Sequence, residues 1–115
     1  MILHFCPAQT WADAQLAGEY AADTLVTEGF IHCSTAEQVA IPATALARGR
    51  HDLVLLEIDE SRLPEPPRWE AGDPSDPESM LFPHVYGPIP IESVIAVHPY
   101  PPEPDGTFTR PKGLV

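Results

Sequence analysis

The chain is short of positive charge. It carries 6 Lys and Arg against 17 Asp and Glu, a formal net charge of -11. Nucleic-acid backbones are bound by Lys and Arg that displace counterions, so this balance speaks against a nucleic-acid partner. It speaks equally against an anionic membrane surface. No apolar run approaches the roughly 20 residues needed to span a bilayer. The stretch Met1–Pro7 lacks the charged segment and long apolar stretch of a secretory leader, so the expected location is cytoplasmic. Cysteine is scarce as well. Cys6 and Cys33 are expected to be buried thiols.

Several motifs are missing. His4, Cys6, His32, Cys33 and His84 are all zinc-ligand types, but no Cys-x-x-Cys, His-x-x-x-His or His-Glu-x-x-His spacing occurs. No metal is therefore expected. Neither Gly-x-Gly-x-x-Gly nor Gly-Lys-Ser/Thr is present to cradle a phosphate. The acidic runs Glu57–Glu60 and Asp73–Glu78 lack EF-hand ligand spacing and read as solvated surface.

What remains is one domain of 115 residues, 43% apolar. Proline is abundant and uneven, with 13 of 15 lying from Pro64 onward. Proline fixes φ and removes an N–H, so this half cannot hold long helices or many central strands. Residues 1–100 are expected to form a single α+β domain. Residues 101–115, rich in proline, are expected to be an extended or disordered tail with little to add to the core.

Met1–Phe5 reads as a strand. Thr10 is the expected N-cap of a helix ending at Gly18, with Trp11, Ala14 and Leu16 facing inward and Asp13 as a partial capping-box match. A strand follows Gly29 and runs to Cys33. Ser34 or Thr35 then caps a second helix, with Thr35 and Gln38 at capping-box spacing. Pro42 is expected to kink or break it. Leu53–Asp59 is apolar on both faces and reads as a central strand. Arg68–Glu70 is a short strand candidate, Gly72–Glu78 an exposed acidic loop, and Val94–Val97 the last strand.

Strand alternation isolates the candidate site. With Leu3 and Phe5 in the core, His4 points the other way. With Ile31 and Cys33 in the core, His32 and Ser34 share the opposite face. With Val85 inward, His84 and Tyr86 lie together on the far side. Convergence of these segments would bring His4, His32, Ser34, His84 and Tyr86 to one place, suited to holding a ribose or phosphate and to acid–base work near neutral pH. His51 and His98 show no such pattern. Arg48, Arg50 and Arg62, with the second helix's N-terminus at Ser34–Ala36, are the candidate anion grips; Arg48 and Arg50 read equally as charges that complement a helix C-terminus.

The run Thr27–Val39 (Thr-Glu-Gly-Phe-Ile-His-Cys-Ser-Thr-Ala-Glu-Gln-Val) resembles the domain of unknown function 952 family. The first strand with His4, the Trp11 helix, Asp52–Asp59, Arg68–Glu70 and Phe82–Ile89 follow in that family's order, covering about residues 1–100. The family is similar to the ADP-ribosyltransferase and RNA 2′-phosphotransferase group. The resemblance implies an ADP-ribosylation-like α+β fold, with two small sheets around a cleft and two main helices. It implies NAD as substrate, His4, His32 and Ser34 on the ribose or phosphate, and His84 and Tyr86 at the acceptor. The late strand of that group often carries a Glu, and no Glu stands at that place beside His84 and Tyr86 here. Two functions follow: a transferase or hydrolase directed at NAD or another small nucleotide, or a non-catalytic nucleotide-binding or interaction module.

Overall fold

The computed structural model describes residues 1–76 and 78–114. Its elements run β1 (Ile2–Pro7), α1 (Ala8–Ala17), β2 (Glu19–Tyr20), α2 (Thr24–Thr27), β3 (Ile31–His32), α3 (Ala40–Ala47), β4 (Leu53–Ile58), β5 (Arg68–Ala71), β6 (Leu81–Val85), β7 (Ile89–Pro90) and β8 (Val94–Pro99). The fold is α+β. Three antiparallel sheets, not two, are present among the described residues, ordered β1-β4-β8, β2-β7 and β3-β6-β5.

β4 is the central strand of the first sheet, as its two apolar faces require. Leu56 and Ile58 pack with Ile2, Cys6, Trp11 and Ala14 on one side. Leu53 and Leu55 pack with Leu3, Ala43 and Ala47 of α3 on the other. Each large side chain buried in this way stabilises the fold by roughly 1.5–3 kcal/mol. Because both faces are covered, the side of β1 that carries His4 is not open surface but the flank of the larger core.

Helix boundaries differ from the sequence expectation for tertiary reasons. α1 begins at Ala8, two residues before Thr10, because the Asp52 carbonyl accepts the Ala8 N–H at 2.8 Å and replaces a side-chain cap. Asp13 is accordingly no capping-box residue; it accepts from Gln9 at 2.9 Å one turn away. Trp11 and Ala14 face inward, but Leu16 is 90% exposed. Gly18 closes the helix with φ 90°, a left-handed conformation that favours glycine. In the second helical segment Gln38 Oε1 accepts the Thr35 N–H at 3.1 Å, half of a capping box, and opens a turn before α3. Pro42 does not break α3. It occupies the third helical position, where the Ile41 N–H takes the Gln38 carbonyl in its place.

The C-terminal segment has no helix or strand among its described residues, yet it adds to the core. Tyr100 and Phe108 are each 5% exposed and pack against α3, their rings 4.9 Å apart. The Phe108 N–H donates to Thr44 Oγ1 at 2.9 Å. The Gly49 N–H donates to the Gly106 carbonyl at 2.9 Å. Leu53–Ile58, Arg68–Ala71 and Val94–Pro99 form where strands are expected. In the acidic loop at Gly72–Glu78, Pro77 lies outside the described residues, as does Val115 in the C-terminal segment.

Candidate functional site

The third sheet builds the site. β3 and β6 pair antiparallel, with His32 directly opposite His84. β5 lies on the other edge of β6, with Arg68 opposite His84 and Glu70 opposite Phe82. Alternation puts Arg68 and Glu70 on the face that carries His84. Gly29, with φ 88°, turns the chain into β3 and sets Phe30 and His32 on that same face.

His84 lies on the face opposite the core residue Val85, as alternation expects, yet it is only 4% exposed because neighbouring side chains cover that face. Phe30 covers it, ring on ring, with centroids 4.1 Å apart and an interplanar angle of 15°. His32 stands edge-on at 5.2 Å. Phe30 also lies 5.4 Å from the ring of Tyr86, over which the Arg68 guanidinium sits at 4.2 Å. His32 is itself exposed, and its Nε2 is 3.2 Å from the Glu28 carboxylate.

Glu70 organises the chemistry. Its Oε1 accepts from the Tyr86 hydroxyl at 2.6 Å and from His84 Nδ1 at 2.8 Å. The hydrogen bond from Tyr86, then that from His84, holds the Glu70 carboxyl below the usual carboxylate range. An ionised carboxylate only accepts, so Nδ1 of His84 carries the proton and donates. In the neutral ring Nε2 then bears the lone pair. That nitrogen is buried and has no hydrogen-bond partner among the described residues. The bond to Glu70 in turn raises the Tyr86 hydroxyl above its ordinary value.

His4 is placed differently from its sequence role. Its Nδ1 donates to the His32 carbonyl at 2.6 Å, since a carbonyl can only accept. Burial pushes the ring's pKa down to about 4, so near neutral pH Nε2 is bare and accepts the Tyr20 hydroxyl at 2.7 Å. β2 pairing with β7 sets Tyr20 at that position. Both His4 nitrogens are spent inside the protein, leaving none to grip a ribose or phosphate. Cys6 and Cys33 are free, buried thiols. Burial pushes Cys6 up to about 11 and Cys33 higher still.

A cavity of about 620 Å³ opens between β1, the α2 segment, α3 and the third sheet. His4, His32, Ser34, His84 and Arg50 all line it. Ser34 is buried, and its backbone pairs with Leu3. Arg50 is bonded through Nε and Nη2 to the carboxylate of Asp52. Arg48 is not among the lining residues; its guanidinium reaches the Asp105 carbonyl at 3.4 Å and helps hold the C-terminal segment. The structure thus brings His32, His84 and Tyr86 together, links His4 to them through the His32 carbonyl, and leaves Arg48 apart. No group of three or more His, Cys, Asp or Glu suited to a metal occurs among the described residues. No helix there is long and apolar enough to cross a membrane.

Sequence reasoning missed Phe30, Glu70 and Glu28. Two of them were detectable by alternation: Phe30 shares the face of His32, and Glu70 shares the face of Arg68. The missing information was which strand β5 pairs with.

The family model for a protein of unknown function, DUF952, matches residues 5–97. The chain belongs to the DUF952 family. Its fold is shared with the crystal structure of protein CC0527 from Caulobacter crescentus, a structural-genomics target. That chain is 28% identical, with TM-score 0.81, over 94% of this chain and 92% of that one. The solution NMR structure of CC0527 gives TM-score 0.76 at 29% identity, over 92% and 89%. No curated protein matches the chain in sequence. This DUF952 domain therefore shares its fold with these structures, and its chemistry has to be argued from its own side chains.

Proposed function

We propose that this DUF952 domain is an acid–base enzyme, a hydrolase or transferase acting on a small molecule, with His84 as general base. The observation that carries it is the Glu70–His84 pair: an ionised carboxylate holds Nδ1–H at 2.8 Å and leaves Nε2 buried without a partner among the described residues. A fixed tautomer with a free lone pair is what abstracting a proton from water or a hydroxyl requires. Tyr86, sharing the same carboxylate oxygen, orients Glu70. The ring of His84 is closed off by Phe30 and His32, and the exposed His32 is the neighbour freest to move aside for a substrate.

A narrower reading makes that substrate NAD or another small nucleotide, on an ADP-ribosylation-like framework. Glu70 supports it by supplying a carboxylate beside His84 and Tyr86, where the late strand alone offered none. The test is isotope-labelled protein with millimolar NAD, read for amide shifts and for free nicotinamide. Turnover falling by about 10²–10⁴-fold in His84→Asn is the outcome expected of an acid–base nucleotide enzyme. Shifts at His32 and His84 without nicotinamide release make the cleft a nucleotide-binding module. No shifts remove the nucleotide reading and leave the general base to be tested on other small molecules.

A further inference from the structure

Two buried side-chain polar atoms lack a hydrogen-bond partner among the described residues: His84 Nε2 and Thr24 Oγ1. Buried polar atoms are nearly always paired, by protein or by ordered water, so two such atoms on one cavity mark where a guest molecule can supply hydrogen bonds. Both residues line the same 620 Å³ cavity, a volume in the range of small-molecule sites. They come from separate elements, Thr24 from the start of α2 and His84 from β6. Their meeting at one cavity is therefore a tertiary arrangement and not a local turn.

The walls state what kind of molecule fits. Leu3, Phe5, Pro42, Leu46, Leu53 and Phe82 supply apolar lining. The acidic side chains on the lining are Asp23 and Glu28. The cationic one is Arg50, and it is already bonded twice to Asp52. His4 is neutral near pH 7, and both its nitrogens are occupied. Among the described lining residues Arg50 is held by Asp52 and His32 lies beside Glu28, so a phosphate or carboxylate finds no unpaired Lys or Arg there, and it enters against a net charge of -11.

We propose that the cavity binds an uncharged or cationic small molecule with an apolar body, hydrogen-bonded to Thr24 Oγ1 and, once the exposed His32 ring moves aside, donating to His84 Nε2. Thr24 is thereby assigned as a binding residue of the site. The proposal rests on the acid–base reading for its position but not for its test. It also parts from the nucleotide reading, because it gives phosphates no place in the cavity.

The experiment is an amide-shift titration of the full-length protein with three probes of one shape, benzylamine, benzyl alcohol and benzoate, and with inorganic pyrophosphate. Benzylamine and benzyl alcohol are expected to move the signals of Thr24, Cys33 and His84 at millimolar concentration. Benzoate and pyrophosphate are expected to leave them in place. Thr24→Val, which swaps the hydroxyl for a methyl of similar shape, should weaken benzyl alcohol about five- to tenfold. Thr24→Ser should restore it. Benzoate or pyrophosphate binding as well as benzylamine overturns the charge assignment. Silence from both expected probes overturns the cavity as a ligand site. Unchanged affinity in Thr24→Val, with an intact spectrum, overturns the role of Thr24. These titrations read occupancy and not turnover, so the acid–base reading and the ligand class can fail separately.

Discussion

Glu70 reaches His84 diagonally across two strands: its own register partner on β6 is Phe82, two residues from the histidine whose Nδ1 lies 2.8 Å from its carboxylate. Diagonal neighbours of this kind are within reach of long side chains. The pair fixes one tautomer of the neutral His84 ring. Nitrogen chemical shifts of the imidazole are expected to show Nδ1 protonated in the wild type. In Glu70→Gln the Nε2-protonated form should rise, because an amide can donate as well as accept. An unchanged tautomer ratio would remove Glu70 from control of the site. Tyr86→Phe should let the Glu70 carboxyl drift back up toward its ordinary value, since the Tyr86 hydroxyl is the largest influence holding it down.

His4 makes the fold sensitive to acid. Its folded pKa, about 4, lies below the ordinary 6.5. Between these values the unfolded chain binds the extra proton, so stability is full above pH 6.5 and falls as pH drops toward 4. The linkage is worth up to about 3 kcal/mol, an upper bound because part of the side chain faces the cavity. Urea midpoints for wild type and His4→Asn should converge as pH falls through this window. A His4 ring that titrates near pH 6.5 in the folded protein would refute the assignment.

Phe108 should anchor the C-terminal segment. Phe108→Ala is expected to cost about 3–5 kcal/mol, the usual range for a buried phenylalanine. Thr44→Val should cost about 1 kcal/mol by removing the acceptor for the Phe108 N–H. Chain ending at Tyr100 should unfold at lower denaturant than full-length chain. Equal midpoints would show that the segment only lies on the surface.

Both thiols should be inert in the native state. Burial disfavours the thiolate of Cys6 and of Cys33, and the thiolate is the reactive form. Labelling by a disulfide reagent is expected to follow global unfolding. Rapid native labelling of Cys33 would mean that the cavity admits the reagent to its lining.

Local pattern alone identified the central strand Leu53–Ile58, because a run apolar on both faces has only one comfortable place in an α+β sheet. It likewise set Ile31 and Cys33 inward and Trp11 and Ala14 on the inner face of their helix, since strand and helix periods are properties of the chain itself.

Tertiary structure decided the rest. Where α1 starts depended on the Asp52 carbonyl, 44 residues away in sequence, and no capping rule sees such a partner. His4 and His84 looked free because alternation tells which side of a strand a residue takes, not what covers that side. Tyr20 and the His32 carbonyl claimed one, and Phe30 and Glu70 the other. Strand pairing is set by contacts distant in sequence, and here it turned three separate histidine segments and an unnoticed glutamate into one site.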